Sequence, residues 1–448
     1  MAHDLSALTQ ALLDAARTAG ADHADAMAVE GASLSIDVRG GRLEQAERSE
    51  GTDIGLRVLI GQRSATVSAS DIKPSTLATM AERAVAMARE APEDKWIGLA
   101  DPDQLARDWD ADALEMADPA PEPSPEALED DARRAEAAAL AIAGISQIDA
   151  ASAAYGARRI HLAATNGFSG GYARSSRSVS CVAIAGSGTG MERDYDGDSR
   201  IFQSDLRSPE EIGARAAERT LARMNARRPR TGSYPVLYDE RISGSLISHL
   251  LSAVNGSAVA RGASWLRDAM DSPVLPDGLS LIEDPHRPRA MGSRPFDAEG
   301  LPTARRALVE DGVLKGWTMD LATARKLGLE SSANAARSAG SGPSPSAWNV
   351  ALTQGDRNRE ELIREMGTGL VVTSMIGATI NPNTGDYSRG AAGYWVENGE
   401  IAYPVSGVTV AGNLRDMLRR IVPANDARPW LSHVVPSLLV EGLTLAGD

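Results

Sequence analysis

The feature that most constrains the fold is a series of strand patterns between residues 24 and 69. DAMAVEG, SLSIDVRG, RLEQAERSEG, DIGLRVLIG and RSATVSASD alternate apolar and polar residues, the period expected of half-buried strands. Gly31, Gly40-Gly41, Gly51 and Gly61 separate most of these runs, which predicts a meander of short antiparallel strands. A helix precedes it over residues 4–19, with Leu5, Leu8, Leu12 and Ala15/Ala16 at helical spacing. A second helix follows, opened by Pro74 and running to about Arg89; proline is tolerated in a first turn because its N–H would be unpaired there anyway. A second strand-rich block at about 148–205 has similar flanks. A helix capped by Ser124-Pro125 runs to about Ile142 before it, and SPEEIGARAAERTLARM follows it. That last helix and KPSTLATMAERAVAMAR share proline, Ala-Glu-Arg and apolar residues at similar offsets. An internal duplication of meander plus helix is one reading, and a chance match of two alanine-rich helices is the other.

DPAPEPSPEALED (118–130) carries four prolines from Pro119 to Pro125 and reads as a stiff, exposed connector. After Gly232 the texture changes. SYPVLYD is a strand, and RISGSLISHLLSAVNGSAVARG (Arg241 to Gly262) reads as one apolar helix. Hairpins turn at Asp311-Gly312 and Asn398-Gly399, pairs that supply positive φ angles. Short helices are expected at about 321–327, 358–366 and 413–421, and the tail SHVVPSLLVEGLTLAG reads as strands. The fold class is therefore α+β. The expected parts are an N-terminal α+β domain at 1–117, a meander-plus-helix domain at 118–232, and a C-terminal α+β domain with a largely antiparallel sheet at 233–448.

The charge balance narrows the partners. A net charge of −15 argues against nucleic acid, whose phosphates are neutralised by Lys and Arg. The basic stretch ARRPRTG (226–232) reads as a solvated linker. The single cysteine, Cys181, sits in the strand-like run RSVSCVAIAG; no internal disulfide can form, and a buried thiol is expected. The first twenty residues form an amphipathic pattern without the basic and apolar regions of a signal peptide. GLVVTSMIGATI (369–380), the longest apolar tract, is too short to span a membrane. The expectation is a cytoplasmic protein with no membrane contact.

The chemistry turns on His249, at the centre of the apolar helix. A helix-borne zinc site needs converging imidazoles, a third ligand and an acid. The six histidines (3, 23, 161, 249, 286 and 433) include no helical pair. GFSGG (167–171) lacks the spacing of a nucleophile elbow, and GSGTG (186–190) lacks the continuation of a phosphate loop. In GSRPFDAEGLPT, Asp297 and Glu299 lie between Pro295 and Pro302. Either both point into one cavity as a general acid/base pair, or Asp297 closes an Asx turn and Glu299 is solvated. In NPNTGDYSRGAAGYW (381–395), Arg389 offers a carboxylate site and the backbone offers an edge for an added peptide strand; a self-contained turn-rich loop is the alternative.

RPFDAEGLPTARRALVEDGVLKGW, ATARKLGLESSANAAR and NPNTGDYSRGAAGYWVENGEIAYPVSGVTVAGNLRDML resemble the signature tracts of the TldD/PmbA family, in its PmbA (TldE) branch. The resemblance covers essentially the whole chain. It implies a heterodimer of similar subunits that acts as a cytoplasmic zinc peptidase on unfolded or extended peptides and trims leaders from peptide-antibiotic precursors. In that family the zinc belongs to the TldD branch, through an HExxxH helix and a later cysteine. Here the corresponding slot is ISHLLS, with Ile247 and Ser252 at the ligand positions and Ser248 at that of the acid, and no cysteine follows Cys181. The expectation is a subunit with no catalytic residue and no metal of its own, and zinc in a TldD-like partner. Asp297, Glu299, Asp386, Tyr387, Ser388 and Arg389 are its candidates for peptide or partner contact. Two alternatives stay open: a homodimeric peptide-binding or regulatory protein with no peptidase partner, and a stand-alone hydrolase with an unrecognised site.

Overall fold

The computed structural model describes residues 3–447. Its first half consists of two successive units, each a helix, three strands and a helix. The first comprises α1 (Leu5–Ala19), β1 (His23–Arg39), β2 (Arg42–Ile60), β3 (Arg63–Ala69) and α2 (Pro74–Glu90). The second comprises α3 (Pro125–Leu140), β4 (Ile145–Ala164), β5 (Ser169–Ala185), β6 (Glu192–Arg200) and α4 (Pro209–Ala222). All six strands form one antiparallel sheet in the order β3-β2-β1-β4-β5-β6. β1 and β4 pair from Asp25↔Ala164 to Val38↔Ala151, so the two units meet along a central antiparallel seam. Ser124 and Ser208 cap α3 and α4, each accepting a backbone N–H ahead of a first-turn proline.

The strands are fewer and longer than the glycine spacing predicts. β1 runs 17 residues and β2 runs 19. Gly31 and Gly51 do not turn the chain; they face each other inside the ladder. Only Gly40-Gly41 and Gly61 sit in turns, at φ 61°, 70° and 54°. Gly31 instead allows close approach: a Cβ there would lie 3.0 Å from the Ala157 carbonyl oxygen.

One face of the sheet carries the helices. Ala24, Ala26 and Ala28 pack with α1 and α2, while Leu34, Ile36 and Val38, further along the same face of β1, pack with α3 and α4. Cys181 is fully buried in the second cluster, and burial pushes its thiol up to about 12. The opposite face presents Met27, Leu162 and Tyr172 to Phe296 and Trp109.

The second half begins with β7 (Gly232–Tyr238), α5 (Gly244–Ala253), α6 (Gly256–Ala260), β8 (Leu281–Glu283), β9 (Arg306–Glu310), β10 (Val313–Leu314) and α7 (Leu321–Leu327). It continues through β11 (Ala335–Ala336), β12 (Ser344–Pro345), β13 (Val350–Leu352), α8 (Arg359–Met366), β14 (Gly369–Ile380), β15 (Asp386–Glu397) and β16 (Glu400–Asn413). It ends with α9 (Leu414–Leu418), β17 (Ile421–Pro423), β18 (His433–Val434) and β19 (Leu438–Ala446). The main sheet is ordered β16-β15-β14-β7-β19-β17, and β16 also pairs with β19, which closes five strands into a barrel. A second sheet, β10-β9-β8-β13-β18, packs nearby. Most pairings are antiparallel; β7–β14 and β13–β18 are parallel. Both expected hairpins form, with Asp311-Gly312 at φ 47° and 79° and Asn398-Gly399 at 54° and 79°.

The single helix expected from Arg241 to Gly262 is two. It breaks at Val254-Asn255, where the Asn255 side chain accepts from Ser257 N at 3.0 Å and so caps α6. The break seats Gly256 under α7: its N–H donates to the Thr318 carbonyl at 2.8 Å, and a Cβ would meet Met319 Cγ at 2.7 Å.

The two halves dock through the helix-free face of the first sheet. Asp25 of β1 accepts from Arg57 Nε at 2.7 Å and pairs with Arg337 from the second half. Beside it, a Cβ on Gly55 would stand 1.9 Å from the Ala339 carbonyl oxygen. That neighbour is backbone and cannot swing aside. Gly55→Ala is expected to lower stability by about 1–3 kcal/mol, whereas Gly51→Ala, with nothing within 4 Å, serves as control. Chemical denaturation of both variants reads the difference; equal midpoints would contradict this docking.

Candidate functional site

The barrel helix α5 holds the slot where a zinc helix would lie. Leu246, Ile247 and Leu250 point into the core with no exposed surface. Ser248 Oγ donates to the Gly244 carbonyl and Ser252 Oγ to the Ser248 carbonyl, both at 2.9 Å. Both hydroxyls thus bond back one turn within their own helix. His249 points elsewhere: its ring meets the Tyr387 ring edge-on at a centroid distance of 5.9 Å. Its Nε2 is buried without a hydrogen-bond partner. Burial first, and then the charge of Arg389, lower its pKa, so the imidazole is held neutral. Among the described residues, no three His, Cys, Asp or Glu side chains are placed to hold a metal ion.

Asp297 and Glu299 are brought together, and both are buried, so the solvated reading of Glu299 does not hold. Asp297 Oδ1 accepts from Glu299 N and Leu301 N at 2.9 Å each, and Oδ2 from Ala335 N at 3.1 Å. This is the Asx turn, extended to a second loop. Glu299 Oε2 accepts from Leu321 N at 2.8 Å, at the start of α7. Glu299 also borders, with Asp25 and Arg57, a void of about 10 Å³, room for at most one water. Burial is the main cause that raises Asp297 to about 6 against its three N–H donors. Burial and then the neighbouring Asp297 charge push Glu299 well above 4.5. The pair ties loops together; Glu299 faces only this small void, while Asp297 also borders a cavity of about 280 Å³ at the docking face.

The stretch from Asp386 divides between surface and core. Asp386 is exposed, accepting from Thr384 Oγ1 at 2.6 Å and Asn413 Nδ2 at 3.0 Å. Tyr387 is 2% exposed and donates to Met375 Sδ at 3.2 Å. Arg389 Nε donates to the Gly377 carbonyl at 2.7 Å. Ser388 lies half-buried between β14 and β16. β15 is paired on both sides along this stretch, so it has no free edge for an added peptide strand.

Sequence reasoning missed the charges at the docking face. Asp25, Arg57 and Arg337 form a triad whose side chains are 5%, 9% and 0% exposed. Burial alone would raise the Asp25 carboxyl, but Arg337 and Arg57 outweigh it and leave it lowered. The available signal was Arg57 inside the apolar run GLRVLI, where a surface charge has no place.

With this geometry in hand, the chain can be compared with known proteins. Three family models match in succession: PmbA/TldA metallopeptidase domain 1 over residues 24–88, the central domain over 118–224, and the C-terminal domain over 231–447. The chain is 37% identical over 418 residues to Metalloprotease PmbA of Escherichia coli O157:H7, covering 93% of this chain and 90% of that protein. It is 34% identical to the Metalloprotease PmbA homolog of Haemophilus influenzae, again over 93% of this chain and 90% of the relative. A Bacteroides thetaiotaomicron structure labelled a modulator of DNA gyrase superposes with a TM-score of 0.92 at 27% identity, covering 100% of both chains. TldE from Thermococcus kodakarensis shares the fold, with a TM-score of 0.86 at 20% identity over 98% of this chain and 100% of that one. The chain belongs to the TldD/PmbA family of metallopeptidases, in its PmbA (TldE) branch. The family name implies a metal, and the slot on α5 does not fit one: Ile247 has no lone pair, and both serine hydroxyls are spent on helix carbonyls. No helix among the described residues is long and apolar enough to cross a membrane.

The buried carboxyl pair sets a pH dependence. A carboxyl whose folded pKa is raised favours folding most below its unfolded pKa, and that contribution is lost as pH rises toward the folded value. Glu299→Gln keeps the acceptor for Leu321 N–H and removes the titration. The stability of Glu299→Gln relative to wild type is therefore expected to rise from pH 5 to pH 8, by at least about 1 kcal/mol. Urea denaturation at the two pH values checks it; a constant difference would show that Glu299 is ionised throughout.

Proposed function

We propose that this chain is the non-catalytic, TldE/PmbA-type subunit of a heterodimeric zinc metallopeptidase that degrades or trims unfolded peptides and peptide-antibiotic precursors. The observation that carries the reading is the α5 slot, where Ile247 fills the barrel core and Ser248 and Ser252 bond to their own helix. In a TldD-like partner the equivalent helix would hold zinc and supply the acid; here the same positions pack the barrel. The subunit's part is to complete the chamber and hold substrate backbone. Of the six candidates for peptide or partner contact, Asp386 has the most exposed surface, while Asp297, Glu299 and Tyr387 shape the fold behind it. The reading assigns the chain no nucleic acid and a cytoplasmic location.

Cleavage of an unstructured peptide by the purified chain, alone and with a TldD-like protein from the same genome, tests the proposal. The lone chain is expected to be inactive and the mixture active, with Ser248→Ala leaving the mixture's rate unchanged within about twofold. Cleavage by the lone chain would instead establish a stand-alone hydrolase. An inactive mixture in which the lone chain forms a peptide-binding dimer would establish the homodimeric binding protein.

A further inference from the structure

At the docking face lies a second feature, a cavity of about 280 Å³ between the helix-free face of the first sheet and the loops of the second half. Its walls are divided by chemistry. Met27, Ile160 and Leu162 from the sheet, with Phe296 and Trp348 from the loops, form an apolar body. Arg158 and Arg294 line the same cavity, and Arg337 borders it through its backbone, since its side chain has no exposed surface.

These arginines are short of negative charge. Among the described residues neither Arg158 nor Arg294 pairs with a carboxylate. Arg294 lies over the Trp348 ring at 5.0 Å and gives one N–H to the Ser293 carbonyl at 2.9 Å. The Arg337 guanidinium, 0% exposed, is committed to Asp25 at the docking face and does not open onto the cavity. Next to the cavity, Arg174 is buried over Tyr172 with Nε unpartnered and only carbonyls and a sulfur as acceptors. Burial, then Arg294 and Arg158, push Arg174 down to about 9, which reports the same deficit. Two acids also border the cavity, but neither forms an ion pair with these arginines: Asp53 accepts from Ser70 Oγ, and Asp297 from three backbone N–H groups.

The group that best satisfies guanidinium donors without a carboxylate is a planar anion accepting two parallel N–H bonds. The apolar walls require the rest of the ligand to be hydrophobic. The volume is at the small end for ligand cavities, so it admits one residue or a small acid rather than an extended peptide. We propose that this cavity binds an apolar monocarboxylate, the carboxylate on Arg158 and Arg294 and the hydrophobic body against Met27, Leu162 and Phe296. The C-terminal residue of a peptide and a free hydrophobic acid share this chemistry. The site lies wholly within this chain, so it stands apart from the subunit reading and needs no peptidase partner.

Isothermal titration calorimetry on the full chain alone tests it, with N-acetyl-phenylalanine, its amide, a hexapeptide ending in phenylalanine with free or amidated C-terminus, and inorganic phosphate. The free acid is expected to bind at least about tenfold tighter than its amide. Arg158→Gln, at an exposed side chain without a partner, should weaken the acid severalfold without disturbing the fold, and Arg294→Gln should do the same. Matching affinity of the free-carboxylate hexapeptide would identify a peptide C-terminus as the source; binding of the small acid alone would identify a free metabolite-like acid. Equal binding of acid and amide, no effect of Arg158→Gln, tighter binding of phosphate, or no heat with any probe would overturn the proposal.

Discussion

The arrangement of the whole chain depends on one carboxylate. Asp25 sits in the first residue pair of the central seam and is shared by Arg57 of the neighbouring strand and Arg337 of the second half. Taking three charges out of water is costly and is repaid only by close geometry, so this cluster specifies one docking pose more than it adds stability. Around it the backbone comes too near for side chains, as at Gly55 against Ala339. The consequence is a sheet with one face given to helices and the other to the loops of the barrel domain. Asp297 and Glu299, which look in isolation like catalytic carboxylates, belong to this joint: one organises two loops and the other begins α7.

The barrel domain repeats the lesson on a smaller scale. On α5, each of Ile247, Ser248 and Ser252 is committed to structure. Ile247 fills the core that β7, β14 and β15 enclose, and the serines close on their own helix. His249 is kept neutral and turned to Tyr387. α5 is thus a packed wall of the barrel, which is the observation on which the proposed subunit role rests.

Much of this was legible in the sequence because local rules decide it. Ser-Pro helix starts, the Asp-Gly and Asn-Gly hairpins and the alternating strands all follow from backbone preferences, and the structure has them in place. Errors arose where tertiary contacts override local signals. Gly31 and Gly51 look like turn residues but serve close approach or extended pairing inside long strands. The helix after Arg241 breaks because Gly256 must fit beneath α7, which no periodicity reveals. For the site, the apolar and hydroxyl side chains of Ile247 and Ser252 could be read directly, since they are what they are in any fold. The arginine-lined cavity could not, because Arg158 and Arg294 come together only once the halves dock.

The central claim is that the chain carries no catalytic zinc and acts beside a subunit that does. Native mass spectrometry of the chain co-expressed with a TldD-like protein of the same genome, followed by gentle dissociation, tests it most directly. The account predicts one zinc ion per heterodimer, retained by the partner and absent from this chain. Zinc retained by this chain at a stoichiometry of about one would contradict the account.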